Sequence, residues 1–135
     1  MNQDAPFPVG PKSDWETFTN TVWFQYLVED EDNTYDTHVY NVVFDSSART
    51  YWHSHPGGQI LLVTSGTGYY QEKGRQARKL VPGDVITIPP DVAHWHGAAP
   101  DCKFAHLGIG AQVRLGPIKW LGPVTEEEYR ESTAQ

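Results

Sequence analysis

Turn-forming residues interrupt this sequence about every 8–12 residues, and the stretches between them are short and rich in β-branched and aromatic side chains. The hydrophobic pattern predicts strands at residues 21–28, 37–45, 59–65, 68–72, 76–80, 85–88, 94–97 and 103–109. Many short strands with little helix between them are typical of a barrel or a sandwich of two sheets. The tight links at 66–67 and 73–75 further predict that the third to fifth of these strands form a meander.

The chain has the length of one domain. Of its 135 residues, 39% are hydrophobic and 20% are charged, which is enough apolar material for one core. We therefore expect a single domain over residues 1–135. Residues 1–12 are rich in proline and show no periodicity, which predicts an irregular arm laid over the barrel or over a neighbouring subunit.

Two segments match the capping box, in which a Ser or Thr N-cap is followed three residues later by Glu. Thr125 and Glu128 predict a short C-terminal helix at 125–132, with acidic residues at the positive end of its dipole. Ser13 and Glu16 predict a single helical turn.

Acidic residues outnumber basic ones by 17 to 10, which gives a net charge of −7. Phosphate backbones and anionic membranes repel such a chain, so neither nucleic acid nor a membrane is expected as a partner. The N-terminus lacks the basic start and apolar core of a signal peptide, which predicts a cytoplasmic protein. The one cysteine, Cys102, agrees with a reducing compartment and is expected to be an ordinary strand residue. The proline-rich arm and the many aromatic residues predict a homodimer or a higher homo-oligomer.

Two pairs of histidines stand two residues apart, at His53 and His55 and again at His94 and His96. Because a strand places residues i and i+2 on the same face, each pair directs two imidazoles to one side of a sheet. The Pro-Gly-Gly turn after His55 allows the chain to reverse, so the amide of Gln59 could return to the same point. Imidazole is the commonest protein ligand of transition metals, which makes these segments candidate metal ligands. The alternative is that isolated histidines at a strand end are ordinary polar residues.

The same segments resemble a known family. Residues 53–66 (H-x-H, then Q and G) resemble the first motif of the cupin superfamily, and residues 83–94 (G, P and H) resemble its second motif. The resemblance implies an all-β fold, the double-stranded β-helix or jelly-roll barrel, with one divalent metal ion inside it. The ligands implied by the motifs are His53, His55, Gln59 and His94. Gln59 departs from the pattern, because most cupins have Glu at this position.

A closer resemblance extends over residues 13–23, 48–59 and 94–100 and includes His106. These segments are similar to the small group of cupins with hydroxynitrile lyase activity. The resemblance implies manganese(II) or iron(II) as the metal, with zinc(II) or nickel(II) as alternatives. It also implies cleavage of a cyanohydrin to an aldehyde and cyanide, and the reverse reaction.

Three imidazoles and a carboxamide are all neutral, so a bound divalent ion would keep its full charge and act as a strong Lewis acid. His96 and His106 are the candidates for proton transfer, because an unshifted imidazole titrates near neutral pH. His106 is the preferred base, since the resemblance places a histidine at its position near the metal. The alternative for both is a hydrogen-bonded histidine of the core.

The substrate pocket is expected to be apolar. The residues assigned to it are Tyr40, Val42, Phe44 and Leu61. The first three share one face of the strand predicted at 37–45, whereas His38 stands at the start of that strand and is expected to face solvent.

The sequence therefore predicts a metal-dependent enzyme acting on a small molecule, most simply a lyase of the hydroxynitrile lyase type. Two alternatives remain open at this point. The same site could serve a mononuclear iron(II) or manganese dioxygenase, or a cupin that binds a small molecule without turnover, because the fold alone does not decide the function.

Overall fold

Two antiparallel sheets face each other across a shared core in the computed structural model, which describes residues 6–134. The strands, in chain order, are β1 (Phe18–Thr19), β2 (Val22–Val28), β3 (Thr37–Phe44), β4 (Arg49–Thr50), β5 (Trp52–Ser54), β6 (Gln59–Gly66), β7 (Gly68–Glu72), β8 (Arg78–Leu80), β9 (Val85–Ile88), β10 (His94–Ala98), β11 (Phe104–Ala111) and β12 (Lys119–Gly122). A 3-10 turn (Val113–Leu115) precedes β12, and the α-helix α1 (Glu126–Thr133) follows it.

The first sheet has the strand order β2-β3-β11-β6-β9. In the second sheet β10 is central, with β7 and then β8 on one side and with β4 and β5 on the other. β1 pairs with β4, and β12 pairs with β5. The architecture confirms the prediction of an all-β barrel of the jelly-roll type followed by a short helix.

The predicted meander of three strands is wrong. β7 and β8 form the expected hairpin, but β6 lies in the other sheet, between β11 and β9. The chain changes sheet at Gly66, whose φ is 74° and where a Cβ would lie 1.9 Å from the carbonyl oxygen of Lys103. A glycine link between two apolar runs has the same pattern whether the chain forms a hairpin or crosses between sheets, so the sequence did not separate the two.

The short strands β1, β4 and β12 were not predicted, because two to four residues are too few to show alternation. β12 matters for the site, since it places Trp120 opposite His53. The helical turn predicted at Ser13 does not form. The Ser13 hydroxyl instead accepts a hydrogen bond from the backbone N–H of Trp15 at 3.2 Å, and the chain turns at residues 16–17 before entering β1.

Inward-facing side chains of both sheets form one apolar core. Phe44 and Leu61 lie in this core and are fully buried, as are Leu80 and Phe104. The rings of Phe44 and Phe104 are 5.8 Å apart. Burial of each such side chain contributes about 1.5–3 kcal/mol, so this core fixes the distance between the two sheets.

The outward face of the second sheet is covered by helix α1. Trp95 points to this side, away from its histidine neighbours, and its ring lies 5.9 Å from that of Tyr129 on the helix. Arg49 is also fully buried here, with its guanidinium 4.2 Å above the Tyr129 ring. The guanidinium donates to the Val124 carbonyl at 3.2 Å and pairs with Glu126, which fastens the helix to the barrel.

The predicted capping box is present at the start of α1. The backbone N–H of Glu128 donates to the Thr125 hydroxyl at 3.0 Å, and the backbone N–H of Thr125 donates to the Glu128 carboxylate at 2.9 Å. The first turn also carries acidic residues at 126–128, which complement the helix dipole.

Residues 6–12 lie against β2 and β3 of this chain's own barrel. Lys12 forms a β-bridge with Trp23, and the Asn41 side chain donates to the carbonyl oxygen of Pro8 at 2.9 Å. Residues 1–5 of the predicted arm lie outside the described residues.

Cys102 lies in the turn before β11 rather than within a strand, and its thiol donates to the Lys103 carbonyl at 3.1 Å. A helix of the length and hydrophobicity needed to cross a bilayer does not occur within residues 6–134.

Replacement of Gly66 by Ala should destabilise the fold more than the same replacement at Gly74. Both glycines have positive φ, at 74° and 81°, so both variants carry a similar backbone strain of about 1–2 kcal/mol. A Cβ at Gly74 meets no atom within 4 Å, whereas a Cβ at Gly66 collides with a backbone carbonyl. We expect an additional loss of roughly 1–3 kcal/mol for Gly66→Ala, measured by urea unfolding. Equal losses in the two variants would contradict the close approach at the sheet crossing.

Candidate metal centre and cavity

The register of the second sheet places two histidines side by side. His94 on β10 pairs with His53 on β5, and their ring centroids are 4.3 Å apart. Their side chains are 0% and 2% exposed. His96 follows on the same face of β10, while Trp95 between them points outward. The two-residue spacing predicted from the sequence therefore does direct both imidazoles of β10 into the barrel.

Backbone carbonyl groups fix the protonation of His53 and His94. The Nδ1 atom of His53 lies 2.8 Å from the Tyr51 carbonyl oxygen, and Nδ1 of His94 lies 2.9 Å from that of Val92. A carbonyl oxygen only accepts, so each Nδ1 carries the proton and each Nε2 carries a lone pair. This arrangement is common for histidines that bind a metal through Nε2.

Gln59 brings a third candidate metal ligand from the opposite sheet. A turn closed by a 3.0 Å hydrogen bond from the Gly58 N–H to the His55 carbonyl returns the chain to β6, which starts at Gln59. The amide oxygen Oε1 of Gln59 lies 3.2 Å from Nε2 of His94, and its Nε2 donates to the Tyr40 hydroxyl at 2.5 Å. Oε1 and the His94 Nε2 are thus two acceptors that face each other.

A divalent ion fits this geometry. Two ligand atoms bound at right angles to one metal ion, each at a distance of ~2.1 Å, lie about 3 Å apart. This distance matches the spacing of Gln59 Oε1 and His94 Nε2. Within residues 6–134, the buried Nε2 atom of His55 has no hydrogen-bond partner, and its ring lies 5.1 Å from that of His53. The ligand atoms of His53, His94 and His96 also lie within 4.8 Å of one another. Buried histidines of this cluster could therefore hold a metal ion.

Burial lowers the pKa of the histidines in the cluster. It brings the pKa of His55 to about 3 and that of His94 to about 4, and the charge that His94 would carry further lowers the pKa of His55. Burial likewise holds the pKa of His53 well below its ordinary range, aided by the neighbouring His94 and His55. The imidazoles are consequently neutral at pH 7, which is the form that binds a metal.

A second pair of histidines meets between the two sheets. Nε2 of His106, on β11, lies 3.0 Å from Nδ1 of His96, on β10. Burial lowers the pKa of His106 to about 4, and burial together with the charge on His106 holds the pKa of His96 well below its ordinary range. The Nε2 atom of His96 is buried and has no hydrogen-bond partner among the described residues.

The cluster opens into a cavity of about 370 Å³. His53, His55, Gln59 and His96 belong to its wall. Six aromatic side chains also line this cavity: Trp15, Phe18, Phe24, Tyr26, Tyr40 and Trp120. Among the described residues, none of the side chains that line the cavity is aspartate, glutamate, lysine or arginine.

Comparison with known proteins shows the family. The family model described as a cupin domain matches residues 41–107. The (R)-mandelonitrile lyase of Granulicella tundricola is 40% identical to this chain over 121 residues, which are 90% of this chain and 89% of the relative. The chain belongs to the cupin family. Because the relative from Granulicella tundricola is named a lyase, its name points to enzymatic activity among the proteins similar to this chain.

Solved cupin structures resemble the whole barrel. A cupin-like protein from Thermotoga maritima is 58% identical, with a TM-score of 0.93, and the match covers 95% of this chain and 96% of that one. A cupin 2 conserved barrel domain protein from Rhodopseudomonas palustris superposes with a TM-score of 0.68 at 17% identity, covering 89% of this chain and 77% of that one. The second comparison concerns the fold alone.

The predicted pocket residues divide between the cavity and the core. Tyr40 and Val42 line the cavity of this cupin. Phe44 and Leu61 do not, because they point into the apolar core with 0% exposure. Phe44 lies behind the histidine pair, with its ring 5.9 Å from His96 and 5.5 Å from His106.

The predicted base His106 also lies behind the cavity wall and not in it. Its side chain is 0% exposed, and His96 stands between it and the cavity. The Phe104–Ala111 strand does place His106 on an inward face, as its alternation indicated, but alternation carries no information about depth.

Several cavity residues were missed, among them His38 and Trp120. His38 lines the cavity and meets the Tyr26 ring edge-on at 5.7 Å, so it does not simply face solvent. Trp120 packs 4.8 Å from His53. Tyr26 lies on the neighbouring strand predicted at 21–28, and pairing that strand with 37–45 could have placed His38. The position of Trp120 depends on the unpredicted strand β12.

The metal-free protein should lose stability as the pH falls from about 6.5 to about 4. The folded-state pKa of His94 and of His106 is about 4, below the value of about 6.5 for an unfolded chain. Below pH 6.5 the unfolded chain binds more protons than the folded one, so acid favours unfolding by a few kcal/mol in total. The measurement is urea unfolding of chelated protein across this range.

The variant His106→Gln is the control for that titration, because it removes one depressed pKa and keeps a polar side chain. The dependence of its stability on pH should be shallower than that of the wild type. A pH dependence of equal slope in the two proteins would rule out His106 as a contributor.

Proposed function

We propose that this cupin is a metal-dependent lyase that cleaves cyanohydrins of aromatic aldehydes to the aldehyde and hydrogen cyanide, and that also catalyses the reverse addition. The observation that carries the proposal is a buried set of neutral nitrogen and oxygen donors that opens into an uncharged, aromatic cavity. The similarity to a protein named (R)-mandelonitrile lyase supports it.

The cavity wall favours an uncharged aromatic substrate. A volume of about 370 Å³ suits a single aromatic ring with a short substituent. Phe24 and Tyr40 stack with centroids 5.2 Å apart at 25°, which provides a flat apolar surface. A carboxylate held against the wall and away from the metal ion would lose its hydration without a cationic side chain to pair with it. The part of the substrate that contacts this wall is therefore expected to be uncharged.

Two ligand sets share His53 and His94. The first adds His55 and Gln59, and the second adds His96. The first set is favoured because Gln59 Oε1 and His94 Nε2 face each other as acceptors, a contact that a cation between them stabilises. It also uses the otherwise unpartnered Nε2 of His55 and agrees with the cupin motif. His96 is then left for proton transfer.

A manganese(II) or iron(II) ion held by these four neutral ligands would act as a Lewis acid toward the substrate hydroxyl oxygen. Zinc(II) and nickel(II) are the alternatives. Four protein ligands on a six-coordinate ion leave two positions open, the arrangement of a catalytic site rather than of a structural one.

His96 is the group that takes the hydroxyl proton. It lines the cavity, and its Nε2 is buried without a partner among the described residues. For Nε2 to accept, Nδ1 must carry the proton, and that proton is donated to His106 Nε2 at 3.0 Å. His106 therefore acts as a positioning residue that fixes the tautomer and the ring orientation of His96. As the proton moves to His96, the carbon–carbon bond breaks and its electron pair leaves with cyanide, which then takes the proton.

Loss of His96 should abolish turnover without loss of the metal. We expect His96→Ala to lower kcat for mandelonitrile cleavage by about 10²–10⁴-fold, the usual contribution of positioned proton transfer, while metal content stays near that of the wild type. His55→Ala should instead lose most of the metal. His38→Ala is the matched histidine control for metal content, since His38 lies in the same cavity but outside both ligand sets. Metal loss in His96→Ala with retention in His55→Ala would support the second ligand set.

The choice between lyase and oxygenase is tested with oxygen. A Lewis-acid lyase should cleave mandelonitrile at the same rate under anaerobic conditions, because the metal does not change its oxidation state. If turnover depends on oxygen, and oxygen is consumed with an aromatic substrate, the protein is a dioxygenase and not a lyase. Binding of benzaldehyde without turnover under either condition would indicate a binding protein. 4-Carboxybenzaldehyde, whose carboxylate lies on the ring away from the carbonyl group, should bind at least tenfold more weakly than benzaldehyde if the uncharged wall selects the substrate.

A further inference from the structure

The Tyr40 hydroxyl has one proton that the protein does not use. Its oxygen accepts the hydrogen bond from Gln59 Nε2 at 2.5 Å. A phenol that accepts in this way still has its own O–H to donate. Within residues 6–134 that proton has no acceptor, and Tyr40 belongs to the cavity wall. An unused donor thus lies in the cavity, one hydrogen bond away from the Gln59 amide.

The surrounding structure holds the Tyr40 ring in one position. The ring stacks on Phe24, and it meets Tyr26 edge-on with centroids 6.2 Å apart. On its other side the ring fills the space above Gly108 of β11, where a Cβ would lie 2.1 Å from the Tyr40 Cε2 atom. Burial raises the pKa of the Tyr40 phenol, so the hydroxyl stays protonated. These contacts keep a neutral donor at a fixed place beside the candidate metal ligands.

We propose that the Tyr40 hydroxyl binds the nitrile nitrogen of the cyanohydrin and the cyanide released from it. This inference rests on the proposed function. A cyanohydrin carries two acceptors, the hydroxyl oxygen and the nitrile nitrogen. The oxygen would be bound at the candidate metal site beside His96, which leaves the nitrogen for Tyr40. When the carbon–carbon bond breaks, its electron pair goes to cyanide, so the negative charge on the nitrogen grows and the hydrogen bond from the phenol strengthens. The phenol keeps its proton throughout.

The test compares two ligands on metal-loaded protein. Cyanide and benzaldehyde are titrated separately by calorimetry into the wild type and into Tyr40→Phe, and the metal content of each sample is measured. Loss of a hydrogen bond to a charged group should raise the Kd of cyanide about tenfold or more. The Kd of benzaldehyde, which has no nitrile nitrogen, should change by less than about threefold. The variant Tyr35→Phe loses a phenol that is 69% exposed and outside the cavity wall, and it should match the wild type.

A second variant moves the same hydroxyl instead of deleting it. Gly108→Ala keeps the phenol but places a methyl group against the ring, so cyanide affinity should fall as it does in Tyr40→Phe. Unchanged cyanide affinity in Tyr40→Phe, or equal weakening of both ligands, would overturn the assignment. Loss of the metal from Tyr40→Phe would also overturn it, because Tyr40 would then only orient Gln59. A wild type that cleaves no cyanohydrin refutes the proposed function itself, whereas an active wild type with an equally active Tyr40→Phe refutes only the role of Tyr40.

Discussion

The central constraint in this structure is the approach of two lone pairs. Gln59 Oε1 and His94 Nε2 lie 3.2 Å apart, and neither has a proton to share once His94 donates from Nδ1 to the Val92 carbonyl. Such a contact is repulsive unless a cation lies between the two atoms or the amide reverses. The hydrogen bond from Gln59 Nε2 to Tyr40 satisfies the amide in the orientation that directs oxygen toward the histidines. The Tyr40 hydroxyl and the Val92 carbonyl therefore both favour the arrangement in which the Gln59 oxygen faces the His94 lone pair.

Both sheets of the barrel contribute residues to the site. The second sheet supplies His53, His94 and His96, with His55 directly after β5, while the first supplies Gln59, Tyr40 and His106. Two polar contacts of the site, from Gln59 to His94 and from His106 to His96, therefore cross the interior. The apolar core between the sheets holds these partners at hydrogen-bonding distance. A core substitution that changed the sheet spacing would disturb the candidate metal site and the His96–His106 pair together.

The sequence predicted those features of the fold and the site that depend on local patterns of residues. Alternation and turn residues predicted most of the strands, the shared face of His94 and His96, and the face that His106 shares with Phe104, because the side-chain period of a strand is local. Depth and pairing are not local. Phe44 and Leu61 have the same alternation as Tyr40 and Val42, yet only the second pair reaches the cavity, since this depends on which strand lies opposite. For the same reason the sequence did not show that His106 lies behind the cavity wall, and it missed Trp120. The motifs supplied the candidate ligands, but the hydrogen bonds that select their tautomers come from backbone carbonyls that any residue could provide.

The difference in depth between the two inner histidines gives them different tasks in the proposed reaction. A base must exchange protons with both substrate and product, so it has to reach the cavity, and His96 does so while His106 does not. A buried partner can still govern the base. In the proposed tautomer, His106 accepts the Nδ1 proton of His96 across the 3.0 Å contact and so keeps the lone pair of His96 on Nε2, at the cavity side. If His106 were replaced by a side chain that donates instead of accepting, the lone pair would move to Nδ1, and His96 would face the substrate as a donor. The reactivity of the cavity thus depends on the hydrogen-bonding character of a residue that the substrate never touches.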